Sequence, residues 1–289
     1  MARILLLLVF TLYGIVASAQ NRPCIYRAET LQFDGSPIEQ ARCLLRRNSI
    51  GGVLEKDAER LPKPLEKLIG QKVKISSKKL QEFLDHSGIK AADLGGNLDE
   101  PLATSISPAG ARISSLYFVI HDTSWPYLGE LPFPAAADTD PKWNGNDLSI
   151  WRRSPVAHVF VDRLGRSITT SPFSETVGKG WGTKFARDNL KDPGKAMQIH
   201  IELIQPRRRD AVTGSPTNDR IAPTPGFTVR QYERLALLYI CASVRRGTWM
   251  IPAYHAAVDA GIKDAHDDPQ NFDLAAFSNA LRSLNEKLK

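Results

Sequence analysis

Four residues in this chain are of types that do hydrolytic chemistry, and each stands at the edge of a segment with a clear structural pattern. His121 closes YFVIH, Glu202 lies in AMQIHIELI, His255 lies in IPAYHAAVDAG, and Asp268 lies in HDDPQNFD. Two imidazoles and one carboxylate suffice to hold a zinc ion with a position left for water, as in hydrolytic zinc sites. The remaining acid is then free to move protons. Glu202, flanked by Ile201 and Leu203, is the hardest of the four to explain as structural, because a buried carboxylate is costly without a cation nearby.

The elements that must position these residues are readable. SLYFVIH (115–121), VAHVFVD (156–162) and AMQIHIELI (196–204) are strand patterns, and Asp162-Arg163-Leu164-Gly165-Arg166 reads as a hairpin turn into SITTS. Along a strand His200 and Glu202 share one face while Ile199, Ile201 and Leu203 share the other, so His200 is expected to border the site. His158 reads as a cleft-lining or hydrogen-bonding residue. Thr228 with Gln231 makes a capping box that opens a long amphipathic helix through Val244, and NFDLAAFSNALRSLNEKL forms a closing helix.

Residues 20 to about 92 read as a compact, mainly helical unit. Ser36 with Glu39 is a capping box ahead of SPIEQARCLLRR, and SSKKLQEFLDHSG opens on serine and closes on Gly88. Residues 93–111, rich in Gly, Pro and Ser, read as a linker. Two long irregular stretches, Pro126 to Asn146 and Gln205 to Phe227, leave the strand ends that carry the suspected chemistry and are expected to wall a substrate cleft. The second contains Arg207, Arg208 and Arg209, which read either as a solubilising patch or as a binder of substrate carboxylates.

The first nineteen residues read as an export signal: Arg3, an uncharged apolar run from Ile4 to Val16, and Ala17-Ser18-Ala19 before Gln20. Export predicts a periplasmic or secreted protein with no membrane span after cleavage. Of three cysteines, Cys24 and Cys43 are expected to pair, leaving Cys241 as a buried small hydrophobe. Formal charge is +7, falling to +6 without Arg3, and no Lys/Arg run interleaved with aromatics suggests nucleic acid.

The order IHDT, AHVFVDRLGRSI, IHIEL, FTVRQYERLALLYI, then a His followed by Asp-Pro and Phe-Asp, resembles the zinc N-acetylmuramoyl-L-alanine amidases of the amidase-2 kind. These share their fold with peptidoglycan recognition proteins and phage amidase lysozymes. The resemblance covers roughly residues 112–287. It implies zinc ligands His121, His255 and Asp268, with Asp268 preferred over Asp267 because Pro269 follows it, and Glu202 as the residue that activates water. The chain departs from the pattern in Tyr254 and Ala257 around the second histidine, and in His266, which stands where many members carry a lysine that steadies the oxyanion.

The expected fold class is therefore α/β, a mixed central β-sheet flanked by helices with a small, mainly helical N-terminal accessory unit. The expected divisions are a signal at 1–19, the accessory unit and linker at 20–105, and a zinc amidase domain at 106–289. The expected reaction is hydrolysis of the amide between N-acetylmuramic acid and L-alanine in peptidoglycan. The rivals are a non-catalytic peptidoglycan-binding protein of the same fold and an amidase for soluble muropeptides.

Overall fold

The computed structural model describes residues 23–49, 53–54, 60–154, 156–178, 182–190, 192–209, 220–263 and 265–289. The apolar run expected to be an export signal lies outside these residues. Among the described residues no helix is long and apolar enough to cross a membrane.

A five-stranded sheet organises the molecule. Its strands are β1 (Tyr117–Asp122), β2 (Val159–Val161), β3 (Ser167–Thr169), β4 (Gln198–Leu203) and β5 (Ile251–Tyr254), and the order across the sheet is β5-β1-β4-β2-β3. The first four of that order run parallel, and β3 returns antiparallel through the expected hairpin. At its turn the Asp162 carboxylate accepts from the backbone N–H of Leu164 and Arg166, and Gly165 supplies the left-handed φ of 78°. The sheet is thus mixed and flanked by helices, as expected.

Helices α1 (Pro37–Leu44), α2 (Ser77–His86), α3 (Lys184–Asn189), α4 (Val229–Arg246), α5 (His255–Val258) and α6 (Leu274–Lys287) complete the frame used below. Both expected capping boxes are present, Ser36 with Glu39 on α1 and Thr228 with Gln231 on α4. Strand alternation decides which face meets what. Phe118 stands edge-on to Tyr239 of α4, so that face of the sheet is core, and the Tyr117, Val119 and His121 positions belong to the other.

The N-terminal segment packs onto this frame. Tyr117 Oη accepts from the backbone N–H of Phe33 and donates to Gln40. The fully buried Leu44, Leu45, Leu65, Leu80 and Leu84 join the same continuous apolar core as the sheet. The boundary expected at 105/106 falls within a short strand, Thr104–Ile106, paired with Arg112–Ser114. Cys24 and Cys43 form a disulfide, and Cys241 is a free, buried thiol.

The stretch from Pro126 to Asn146 is less irregular than expected, for it contains two 3-10 turns, Ala135–Asp138 and Asn144–Asn146. Its start is hydrogen-bonded to the described part of the other long stretch: the Arg207 N–H donates to the Pro126 carbonyl and the Leu128 N–H to the Arg207 carbonyl.

Candidate metal centre

The three ligands expected from the sequence come together at the carboxyl ends of parallel strands, where open α/β sheets place their sites. His121 lies near the end of β1, His255 follows β5 directly as the first residue of α5, and Asp268 is brought in by the loop before α6. Their donor atoms all lie within 4.8 Å of one another, and all three residues are buried. His121 Nδ1 is 2.9 Å from His255 Nδ1, and Asp268 Oδ2 is 3.0 Å from His255 Nδ1 and 3.5 Å from His121 Nδ1. Asp267 turns elsewhere, its carboxylate accepting from the Gln270 amide and facing Arg207.

The outer ring nitrogens are already engaged. His255 Nε2 donates to Asp259, 2.9 Å away, and the same carboxylate accepts the first backbone N–H groups of α3, from Lys184 at 3.0 Å and Phe185 at 2.8 Å. His121 Nε2 lies 3.0 Å from His200 Nδ1. Both Nδ1 atoms are thus left to point at one spot.

Glu202 pairs in register with His121 across β4 and β1, and its Oε1 lies 3.9 Å from His121 Nδ1. Its Oε2 is buried without a hydrogen-bond partner. Burial first, and then the nearby Asp268 and Asp122, push its carboxyl well above the usual range. Burial would also raise Asp268, but His255 and the hydrogen bonds from its histidine neighbours outweigh it and hold that carboxyl well below. For His255 burial works downward, yet Asp268 and Asp259 together push the imidazole well up. Burial, reinforced by His255, lowers His121 to about 4.

This donor set fits a zinc ion. It offers two nitrogen atoms and a carboxylate oxygen converging on one point, outer nitrogens anchored by second partners, and a carboxylate oxygen beside them that no described residue hydrogen-bonds.

Other expected residues take different places. His158 and His200 are buried. They stand behind His121 and do not line the cleft, because His158 is closed off by hydrogen bonds to the His200 N–H and the Glu175 carbonyl. Arg207 does not face the cleft either. It is 1% exposed and bound at 2.6 Å to the fully buried Asp122 carboxylate, which also accepts the Gln270 N–H, while the Asp122 N–H donates to Asp268. The pair clamps the loop that delivers the candidate ligand Asp268. Arg208 lies over the Phe133 ring, and Arg209 pairs with Glu130 on the surface. His266 does reach the cleft; its side chain is 55% exposed, with Nδ1 3.6 Å from Asp268 Oδ1.

The cleft, about 290 Å³, is walled by residues the sequence did not single out: Trp151, Phe160, Thr183, Lys184 and Arg187, alongside His266. Trp151 stacks on Phe160 at 4.7 Å. Among the described residues neither 126–146 nor 205–227 contributes to this lining. The strand end brings Thr123 and Ser124 to the cleft, after which the chain turns away to pair with Arg207. Asp259 was also missed, although its spacing four residues after His255 on one helical turn is a readable signal.

No family model matches this chain, and no curated protein matches it. It is similar to a solved crystal structure of a selenomethionine AmpD derivative, at 17% sequence identity, covering 65% of this chain and 98% of that chain with a TM-score of 0.37.

Proposed function

We propose that this chain is a zinc-dependent amidase that hydrolyses the amide bond between N-acetylmuramic acid and L-alanine, in peptidoglycan or in the muropeptides released from it. The observation that carries the reading is the convergence of His121, His255 and Asp268 beside a carboxylate, Glu202, whose Oε2 has no hydrogen-bond partner among the described residues. The resemblance of the ordered motifs to amidase-2 enzymes supplies the substrate class.

Zinc bound at this point would polarise the scissile carbonyl and make water nucleophilic near neutral pH. Glu202 does the proton work. As the water oxygen adds to the carbonyl carbon, a carboxylate oxygen of Glu202 takes its proton; as the C–N bond breaks, the proton passes to the departing amine nitrogen. A carboxylate beside the metal point suits both halves, since it can hold the proton between the two transfers. His266, exposed at the rim beside Asp268, is placed to donate to the oxyanion. Lys184 and Arg187 give one wall positive charge suited to substrate carboxylates, and Trp151 with Phe160 gives another an apolar face.

The reading includes export to the periplasm or beyond, where peptidoglycan lies. A disulfide between Cys24 and Cys43 supports an oxidising compartment.

The test is zinc analysis of the purified protein with mass spectrometry of digested sacculi and of soluble muropeptides. Wild type should carry about one zinc per chain, as a three-ligand site requires, and should release free stem peptides beginning with L-alanine. Glu202→Gln should keep its zinc and lose on the order of a hundredfold or more in turnover. Intact substrate with a zinc-loaded wild type would leave a binding protein as the reading.

A further inference from the structure

Behind the candidate metal point two buried histidines that the proposed chemistry does not use, His158 and His200, form a chain with His121. His158 Nδ1 accepts the backbone N–H of His200 at 3.0 Å, and His158 Nε2 faces the carbonyl of Glu175 at 3.1 Å. A backbone amide only donates and a carbonyl only accepts, so the proton of His158 sits on Nε2. The His158 and His200 rings lie nearly parallel, 5.7 Å apart at 12°. His200 also abuts Gly182, where an added Cβ would fall 2.7 Å from His200 Nε2. That position has φ of +90° and no room for a side chain, so the His200 ring is packed against both His158 and the Gly182 backbone.

Held there, His200 presents Nδ1 to His121 Nε2 at 3.0 Å. One proton lies between two nitrogens, and which ring owns it decides whether His121 has a lone pair on Nδ1. If His200 Nδ1 accepts, His121 is the Nε2–H tautomer and its Nδ1 is free to ligate; if His200 Nδ1 donates, the His121 proton falls on Nδ1 and blocks it.

We propose that His200 is a positioning residue: by accepting at Nδ1 from His121 Nε2, within the packing set by His158 and Gly182, it commits the His121 lone pair to the metal point. The two ligand histidines are then oriented by different chemistry, His255 by the carboxylate of Asp259 and His121 by a neutral imidazole. The inference rests on the zinc-site reading above.

The experiment uses the full chain and zinc alone. His200→Asn places an amide oxygen close to where Nδ1 lies and keeps the acceptor, whereas His200→Leu keeps bulk without an acceptor. In competition with a chromophoric chelator, the leucine variant should bind zinc about 10–100-fold more weakly than wild type, and the asparagine variant should stay within about threefold. Circular dichroism melts of the zinc-free proteins establish that both variants fold. Nitrogen-15 imidazole spectra of zinc-loaded wild type give an answer that no variant's folding can spoil: His121, His158 and His200 should all carry their protons on Nε2. A His200 proton on Nδ1, a leucine variant with wild-type zinc affinity, or a folded asparagine variant as weak as leucine would each overturn the inference while leaving the zinc site standing. A wild type that takes up no zinc would overturn the site itself, and the inference with it.

Discussion

Asp259 offers the sharpest test of how the site is built, because one fully buried carboxylate serves two structures. One oxygen accepts both His255 Nε2 and the Lys184 N–H; the other accepts the Phe185 N–H. Asp259→Ala removes the group that keeps His255 Nδ1 aimed inward, which for an outer partner of a ligand histidine weakens metal binding 10–100-fold, about 1.4–2.7 kcal/mol. It also strands two backbone N–H groups at the start of α3. At about 1–3 kcal/mol for each group left without an acceptor, the zinc-free fold should lose about 2–4 kcal/mol after partial rehydration. Burial raises the Asp259 carboxyl, but its hydrogen bonds and His255 outweigh that and hold it below the ordinary value. A depressed folded-state value contributes stability that is fully present above the ordinary carboxylate range and is lost as pH falls through the folded value. The gap between wild type and variant should therefore be widest near neutral pH and close in acid. Chelator competition gives the first quantity, and urea melts of zinc-free protein across pH give the second. Lost stability with unchanged zinc affinity would show that Asp259 anchors α3 and does not orient His255.

Three further expectations follow from particular contacts. His121→Ala, His255→Ala and Asp268→Ala should each strip zinc, while Asp267→Ala keeps it, since Asp267 faces Gln270 and Arg207; metal analysis after dialysis decides. Arg207→Ala leaves Asp122 buried without its countercharge and should cost about 3–5 kcal/mol in a urea melt, with Arg207→Lys a poor rescue because the fork geometry is lost; a near-neutral alanine variant would refute the clamp. Thiol labelling of unreduced, denatured protein should find Cys241 alone, and reduction should destabilise the fold by about 3 kcal/mol in the chain-entropy view.

What was legible in the sequence is what depends on local pattern. The alternation in IHIEL placed His200 and Glu202 on one face and three aliphatics on the other, and the capping boxes at Ser36 and Thr228 marked helix starts that the structure contains. His121, His255 and Asp268, which the structure brings together, were singled out from ordered motifs. What stayed hidden depends on which distant segments meet. Arg207 reads as one of three exposed arginines until β1 and β4 are paired, because only then does Asp122 stand beside it. The cleft walls come from Trp151, Val156, Phe160, Thr183, Lys184 and Arg187, which carry no chemical signature of their own. His158 takes the hydrogen-bonding one of its two expected roles, whereas the direction of His200, behind His121 and away from solvent, is a property of the third dimension.

The placement of Glu202 beside His121 is set by packing on the opposite side of the sheet. Parallel pairing puts Glu202 beside His121, Ile201 beside Ile120 and His200 beside Val119. A slip of β4 by one residue would carry Glu202 and His200 into the face that packs on α4 and turn Ile199, Ile201 and Leu203 to the face of His121. All three aliphatics are fully buried, and at about 1.5–3 kcal/mol each for leaving water they are worth about as much together as the net stability of many domains. A weakly interacting Glu–His pair is in no position to choose its own register. The apolar residues choose it, and the acid comes to lie 3.9 Å from the ligand nitrogen as a consequence. The same alternation explains why Glu202 can remain without a partner for Oε2: the strand delivers the carboxylate wherever its aliphatic neighbours must go, and the cost of that burial is offset by the other residues of the strand.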